Sequence, residues 1–162
     1  MKATRDDLFA RFEGLGLETS TVEHPPVFTV EESKQHREGQ EGGHCKNLFL
    51  KDKKGALWLV VTLEDRAIDM KELRHKIGSH HLSFGKAELL MEILGVEPGS
   101  VTPFALINDT ECVLNVVLDA EMMEFSALHY HPLINTATTA IKPDDLLLFI
   151  DSCGHKAAVV TL

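Results

Sequence analysis

Cysteine is scarce in this chain: Cys45, Cys112 and Cys153 are widely spaced, odd in number and form no CxxC pair. Neither a disulfide framework nor a structural zinc site is expected, and a reducing cytoplasmic setting fits best. Long apolar runs are missing too. The most apolar one, 56–63, is far too short to span a bilayer. Residues 1–12 alternate charged and apolar side chains and lack the uninterrupted apolar core of a signal peptide. Positive charge is in deficit, with 16 Lys and Arg against 25 Asp and Glu, a net charge of −9 and a pI near 5.4. That balance excludes a sequence-independent DNA coat, which needs an excess of cations to neutralise phosphates, and leaves room for a nucleic acid gripped by a local patch. GxGxxG, P-loop, HExxH and GxSxG signatures are all absent.

What is present is the make-up of one ordinary globular domain: 162 residues, 44% hydrophobic and 25% charged. Thr4 followed by Asp6 and Asp7 reads as a helix cap, with Leu8, Phe9, Phe12 and Leu15 at helical spacing. A short strand is expected over 19–23, an extended piece over 27–29, a polar helix over 30–38 and a flexible loop over 39–43. Residues 47–51 and 56–63, joined by the turn Asp52-Lys53-Lys54-Gly55, give the strongest hairpin signal. Helices are expected over 69–77, 86–94 and 143–153, and strands over 104–107, 112–118, 124–129, 136–141 and 156–161. Hairpins and helical crossovers alternate unevenly. The fold class is therefore α/β (α+β), a mixed, mainly antiparallel central sheet or partly closed barrel with flanking helices, not a doubly wound domain.

Nine histidines raise the question of a metal. His129 and His131 would share one face of a strand, but no acidic residue stands at a recurring ligand spacing, so ordinary histidines are expected. Cys112 and Cys153 read as small core hydrophobes, and no neighbour supplies Cys45 with a base. Lys46 and Asn47 fall at a loop-to-strand junction, where a side chain can face a cleft from rigid backbone. Lys51, Lys53 and Lys54 continue as a basic stretch that is either a solvated, lysine-protected edge or a contact surface. The loop from Gly99 to Pro103 either turns the chain or offers backbone N–H groups to a ligand.

Five segments then combine into something specific: HPPVFTVEE (24–32), HCKNLFLKDKKG (44–55), LSFGKAELLMEILGVEPGSVTPFALIND (82–109), HPLINTATTAI (131–141) and DLLLFIDSCGHKAAVV (145–160). In this order they span nearly the whole chain, which resembles the YbaK/ProX deacylase family and, within it, the freestanding prolyl-tRNA editing branch. The resemblance implies a single editing domain over 1–162, the fold of the editing insertion of bacterial prolyl-tRNA synthetases. It implies a cytoplasmic hydrolase, without cofactor or metal, that removes a mischarged amino acid, alanine above all, from tRNA(Pro) in trans. The partners would be mischarged tRNA(Pro) and, transiently, prolyl-tRNA synthetase, with no DNA or membrane.

By the same resemblance the functional lysine is Lys46, followed by Asn47, and the histidine of the HPL motif is His131. The loop near the aminoacyl group is Gly99, Ser100, Val101, Thr102 and Pro103; His81, at a family position, and Lys51, from the basic stretch of the hairpin, are expected as further substrate contacts. Two positions depart from the family: Cys45 stands where Thr is usual, and His81 stands where Arg is frequent. A thiol is thus not required by the chemistry, and His81 is only partly charged near neutrality. Two other classes remain: a non-catalytic module that binds the aminoacyl end of tRNA, and a metal hydrolase using His129 and His131.

Overall fold

The computed structural model describes residues 2–26 and 42–162. The expected extended piece at 27–29, the polar helix at 30–38 and most of the loop at 39–43 lie outside those residues.

Helix α1 (Arg5–Gly14) starts where the sequence signals it. The Thr4 hydroxyl accepts from the Asp7 N–H while the Asp7 carboxylate accepts from the Thr4 N–H, a reciprocal cap that satisfies two otherwise orphaned donors. Leu8 and Phe12 form its buried face, whereas Leu15 lies past the helix and is exposed. Strands β1 (Thr19–Glu23), β2 (Gly43–Asp52) and β3 (Leu57–Leu63) follow, then α2 (Met70–Ile77), β4 (Leu82–Phe84) and α3 (Ala87–Leu94). Gly78 and Gly95 end the two helices in the left-handed conformation that glycine adopts without a Cβ clash. After β5 (Leu114–Asp119) come β6 (Leu128–Tyr130), β7 (Ala137–Ile141), α4 (Pro143–Ser152) and β8 (Ala158–Val160).

Among the described residues the strands form one eight-stranded sheet in the order β1-β7-β6-β2-β3-β5-β8, with β4 also on β2. Four of the seven pairings are antiparallel: β1–β7, β6–β7, β2–β3 and β2–β4. The sheet is mixed and open, not a closed barrel. Its larger core lies on one face, where α1, α3 and α4 bring Phe12, Leu90, Leu94, Phe149 and Ile150 onto Phe49, Val61 and Val116. Phe12, Phe104 and Phe149 pack edge-on with ring centroids 5.0–5.5 Å apart. Burying each such ring stabilises the fold by about 2–3 kcal/mol. A smaller cluster on the opposite face joins Leu50, Val60 and Val117 to Leu73 of α2 and Leu82 of β4.

The segment expected as a strand at 104–107 is a 3₁₀ helix, Pro103–Asn108. Pro103 has no N–H to give a ladder and presets a turn, and the Thr102 hydroxyl accepts from the Phe104 N–H. The strand expected from 112 begins at Leu114 because Cys112 has a φ of 54° and the N–H groups of Val113 and Leu114 donate to Asp109. Cys112 is exposed rather than a core residue, since that turn carries it outward. The strand expected over 124–129 shrinks to Leu128–Tyr130, preceded by a 3₁₀ turn, Met122–Glu124.

Candidate functional site

The two edges of β2 are not equally used. On one side it pairs with β3 from Cys45 to Lys51. On the other, β6 reaches only Gly43 and His44, and β4 only Leu50 to Asp52. Between those contacts, residues 45–49 have no neighbouring strand on that edge among the described residues. Lys46 and Asn47 lie in this gap, on rigid backbone held from the far side by β3.

Side chains alternate across a strand, so the gap presents two chemistries. Cys45 and Asn47 face the larger core. Burial pushes the Cys45 thiol up to about 12, which removes it as a nucleophile near neutral pH. Asn47 ends there with its Oδ1 buried and without a hydrogen-bond partner. A buried acceptor left bare costs about 1–3 kcal/mol, so this oxygen has unused capacity for a donor.

Lys46 faces the opposite way, beside Thr62. Its Nζ donates to the Arg66 carbonyl at 2.5 Å. Arg66 is held in turn by Asp119 at 2.6 Å, by Glu121 and by the Leu162 carbonyl at 3.1 Å. Asp119 is fully buried and also accepts from the Thr62 hydroxyl at 2.6 Å. The hydrogen bond to Asp119 outweighs the cost of burial at Arg66 and raises the guanidinium above its ordinary range, so Arg66 stays charged. Lys46 is thus aimed by a chain of contacts running Asp119 to Arg66 to Lys46.

His131 falls on the same side of the sheet. His44 pairs with His129, their rings stacked 4.6 Å apart, so two residues further on Lys46 stands level with His131 just past the end of β6. His131 Nδ1 lies 2.9 Å from the Ala137 carbonyl. A carbonyl only accepts, so Nδ1 carries the proton and Nε2 keeps its lone pair in the neutral ring. Burial, with a smaller contribution from His24, lowers the His131 pKa from 6.5 and favours that neutral form. His24 Nε2 lies 2.7 Å from the Thr138 hydroxyl, and its ring centroid is 6.1 Å from that of His131. His129 and His131 do share a side, but no group of three metal-binding side chains occurs among the described residues.

The loop Gly99 to Pro103 is built from a 3₁₀ turn at Pro98–Ser100 and the start of the next. Ser100, Thr102 and Pro103 are buried, and Val101 packs on the larger core, the side that Asn47 faces. Its Ser100 N–H donates to the Glu97 carbonyl and its Phe104 N–H to Thr102, so these two amides are turned inward. Lys51 and His81 meet elsewhere. They line a groove of about 770 Å³ with Lys53, Ser83, the exposed Phe84 and Lys86. Lys51 is five residues along β2 from Lys46, about 16 Å. The structure therefore puts Lys46 and His131 on one side of the sheet without a direct contact between them, Asn47 on the side of the loop, and Lys51 and His81 in one groove.

Sequence reasoning missed Asp119, Arg66, Thr62 and Thr138. The one local signal was a carboxylate ending the apolar run of β5, a residue that folding buries only against a partner.

Comparison with known proteins agrees with the fold. The model of the aminoacyl-tRNA editing domain matches residues 24–149. The chain is 40% identical over 159 residues to prolyl-tRNA synthetase associated domain-containing protein 1 of Danio rerio, covering 97% of this chain and 86% of that one. It is 34% identical over 156 residues to the prolyl-tRNA editing protein ProX of Acetoanaerobium sticklandii, covering 96% and 95%. A solved structure described as a candidate trans-editing enzyme for prolyl-tRNA synthetase superposes with a TM-score of 0.70 at 20% identity, covering 100% of this chain and 99% of that one, which bears on the fold alone. With a domain model that matches residues 24–149 and a relative 40% identical over nearly the whole chain, the chain belongs to the aminoacyl-tRNA editing domain family.

Proposed function

We propose that this protein is a trans-acting deacylase that hydrolyses the ester of mischarged tRNA(Pro), with alanyl-tRNA(Pro) as its substrate. The observation that carries this reading is Lys46: a cation fixed by the Arg66 carbonyl in the stretch of β2 that, among the described residues, pairs with β3 alone, on the same side of the sheet as His131. Lys46 holds the terminal adenosine or its phosphate by charge. Asn47 offers its unpartnered Oδ1 to a donor of the bound sugar or amino acid. His131 Nε2 accepts from the attacking water.

Water adds to the ester carbonyl, the bond to the ribose oxygen breaks and the proton ends on that oxygen, leaving free amino acid and uncharged tRNA. The neighbouring ribose hydroxyl assists as a substrate-borne proton relay. Gly99 to Pro103 borders the aminoacyl end and limits its size. Exclusion by size is the physical logic here, because one methylene is worth only about 1–3 kcal/mol in a binding site. Lys51 and His81 belong to the groove at the far end of β2, about 16 Å from Lys46. They contact the nucleic acid beyond the terminal nucleotide. The whole chain acts as one editing domain in the cytoplasm, meeting prolyl-tRNA synthetase transiently.

The test is release of amino acid from alanyl- and prolyl-tRNA(Pro). Wild type is expected to release alanine and spare proline. Lys46→Ala loses about 3 kcal/mol of transition-state stabilisation, on the order of a hundredfold in rate. Alanine release at the full rate by Lys46→Ala would remove Lys46 from the mechanism. Saturable binding of the charged tRNA without any release would make the protein a binding module instead.

A further inference from the structure

On the far side of the sheet from the Lys46 gap, β5 is only half covered. It pairs with β3 from Leu114 to Leu118, but β8 joins it only from Val117 to Asp119. Beside the uncovered stretch is a cavity of about 400 Å³, lined among others by Trp58, Lys76, Asn115, His155 and Lys156. A cavity of that size suits a small organic ligand.

His155 is its unexplained member. The side chain is 2% exposed, and Nε2 lies 2.8 Å from Asp109 Oδ2. That carboxylate also accepts the N–H groups of Val113 and Leu114, so it acts purely as an acceptor and Nε2 supplies the proton. In the neutral ring Nδ1 then carries a lone pair, and this atom is buried with no partner. Folding rarely leaves such an acceptor bare. Lys76, in the last turn of α2, and Lys156, before β8, bring two exposed ammonium groups to the same cavity from distant parts of the chain. Trp58 lines the same cavity, its indole N–H engaged by Asp52 at 3.4 Å. An aromatic wall, one buried acceptor and two cations have a common complement. It is a flat heteroaromatic ring with an amino donor, joined to a dianion.

We propose that this cavity is a binding site for a nucleoside monophosphate. The base lies against Trp58 and donates its amino group to His155 Nδ1, and the phosphate sits between Lys76 and Lys156. This site is separate from the editing gap, since Trp58 is four residues along β3 from Thr62, the partner of Lys46.

Trp58 is the single tryptophan, so its fluorescence reports the site directly. Adenosine monophosphate is expected to change that fluorescence saturably, and adenosine to bind at least about tenfold more weakly for want of the phosphate. The double variant Lys76→Ala/Lys156→Ala, on the exposed rim, should lose at least about tenfold in affinity while keeping its fold. Lys46→Ala should leave the response intact. Bound nucleotide should also slow alkylation of Cys112, which lines the same cavity. The proposal fails if millimolar adenosine monophosphate leaves Trp58 unchanged, if the double lysine variant binds as well as wild type, or if Lys46→Ala abolishes the response. A response to free aromatic amino acids but not to the nucleotide would overturn it in favour of a carboxylate ligand.

Discussion

At His131 a single backbone oxygen decides the tautomer. The Ala137 carbonyl takes the Nδ1 proton, and burial lowers the pKa below 6.5, so the ring offers a lone pair at neutral pH. If that lone pair receives the water proton, deacylation is carried by the neutral form, present above the His131 pKa and lost as pH falls through it. The pH profile of alanine release should therefore have an acid limb below the ordinary histidine range. His131→Ala should flatten the limb and lower the plateau, and an unchanged limb in that variant would assign it to another group. Asp119 is a different kind of residue, a positioning one. It is fully buried and holds Arg66, whose carbonyl holds Lys46. Asp119→Ala strips the partner from a guanidinium that is 23% exposed, at a cost of about 2–3 kcal/mol after allowing for that exposure. Chemical denaturation should show the loss, and activity at a temperature where the variant is folded should fall with that of Lys46→Ala. Full activity there would mean that Lys46 finds its place unaided.

Among the elements, the joint between β2 and β6 is the slenderest link in the sheet. It has two rungs, Gly43 to Leu128 and His44 to His129, and it fixes His131 relative to Lys46. Gly42 enters this joint with a φ of 117°, and a Cβ there would stand 2.5 Å from the Ala127 carbonyl oxygen. Gly42→Ala should therefore part the joint, costing on the order of 1–3 kcal/mol. The thermal midpoint should fall and alanine release should drop further than the stability loss explains. A stable but fully active variant would show that the joint does not align the site. Local signals made much of this architecture legible: the Thr4 cap, Pro143 at the start of α4, the glycines after α2 and α3, and the β2–β3 turn. The run 104–107 was not, because a short apolar stretch fits a strand or a buried helical turn equally well by pattern. Its place at a loop-to-strand junction marks Lys46 as a candidate, and only the family motif gives it a role. The gap around it comes from where β6 and β4 stop, and the Asp119–Arg66 contact joins residues 53 apart in sequence. Neither leaves a periodicity to read.

For the whole molecule, the net charge of −9 sets how firmly a tRNA can be held. The cations near the proposed path are few and divided: Lys46 in the gap, then Lys51, Lys53 and Lys86 around the groove. Glu88 and Glu92 line that same groove and oppose phosphate. About three phosphate contacts would give a slope of log affinity against log salt of roughly −2 to −3. A protein coated with cations would show a far steeper one. Light binding also suits an editor that must sample many charged tRNAs and release nearly all of them, since residence time follows the strength of the contacts. Affinity for uncharged tRNA(Pro), measured across a range of salt, should therefore be weak with a shallow slope. Replacing Lys51 and Lys53 together by Ala should flatten it by roughly one to two units. A steep slope in the wild type, or one untouched by that double change, would place the nucleic acid on a surface other than this groove and gap.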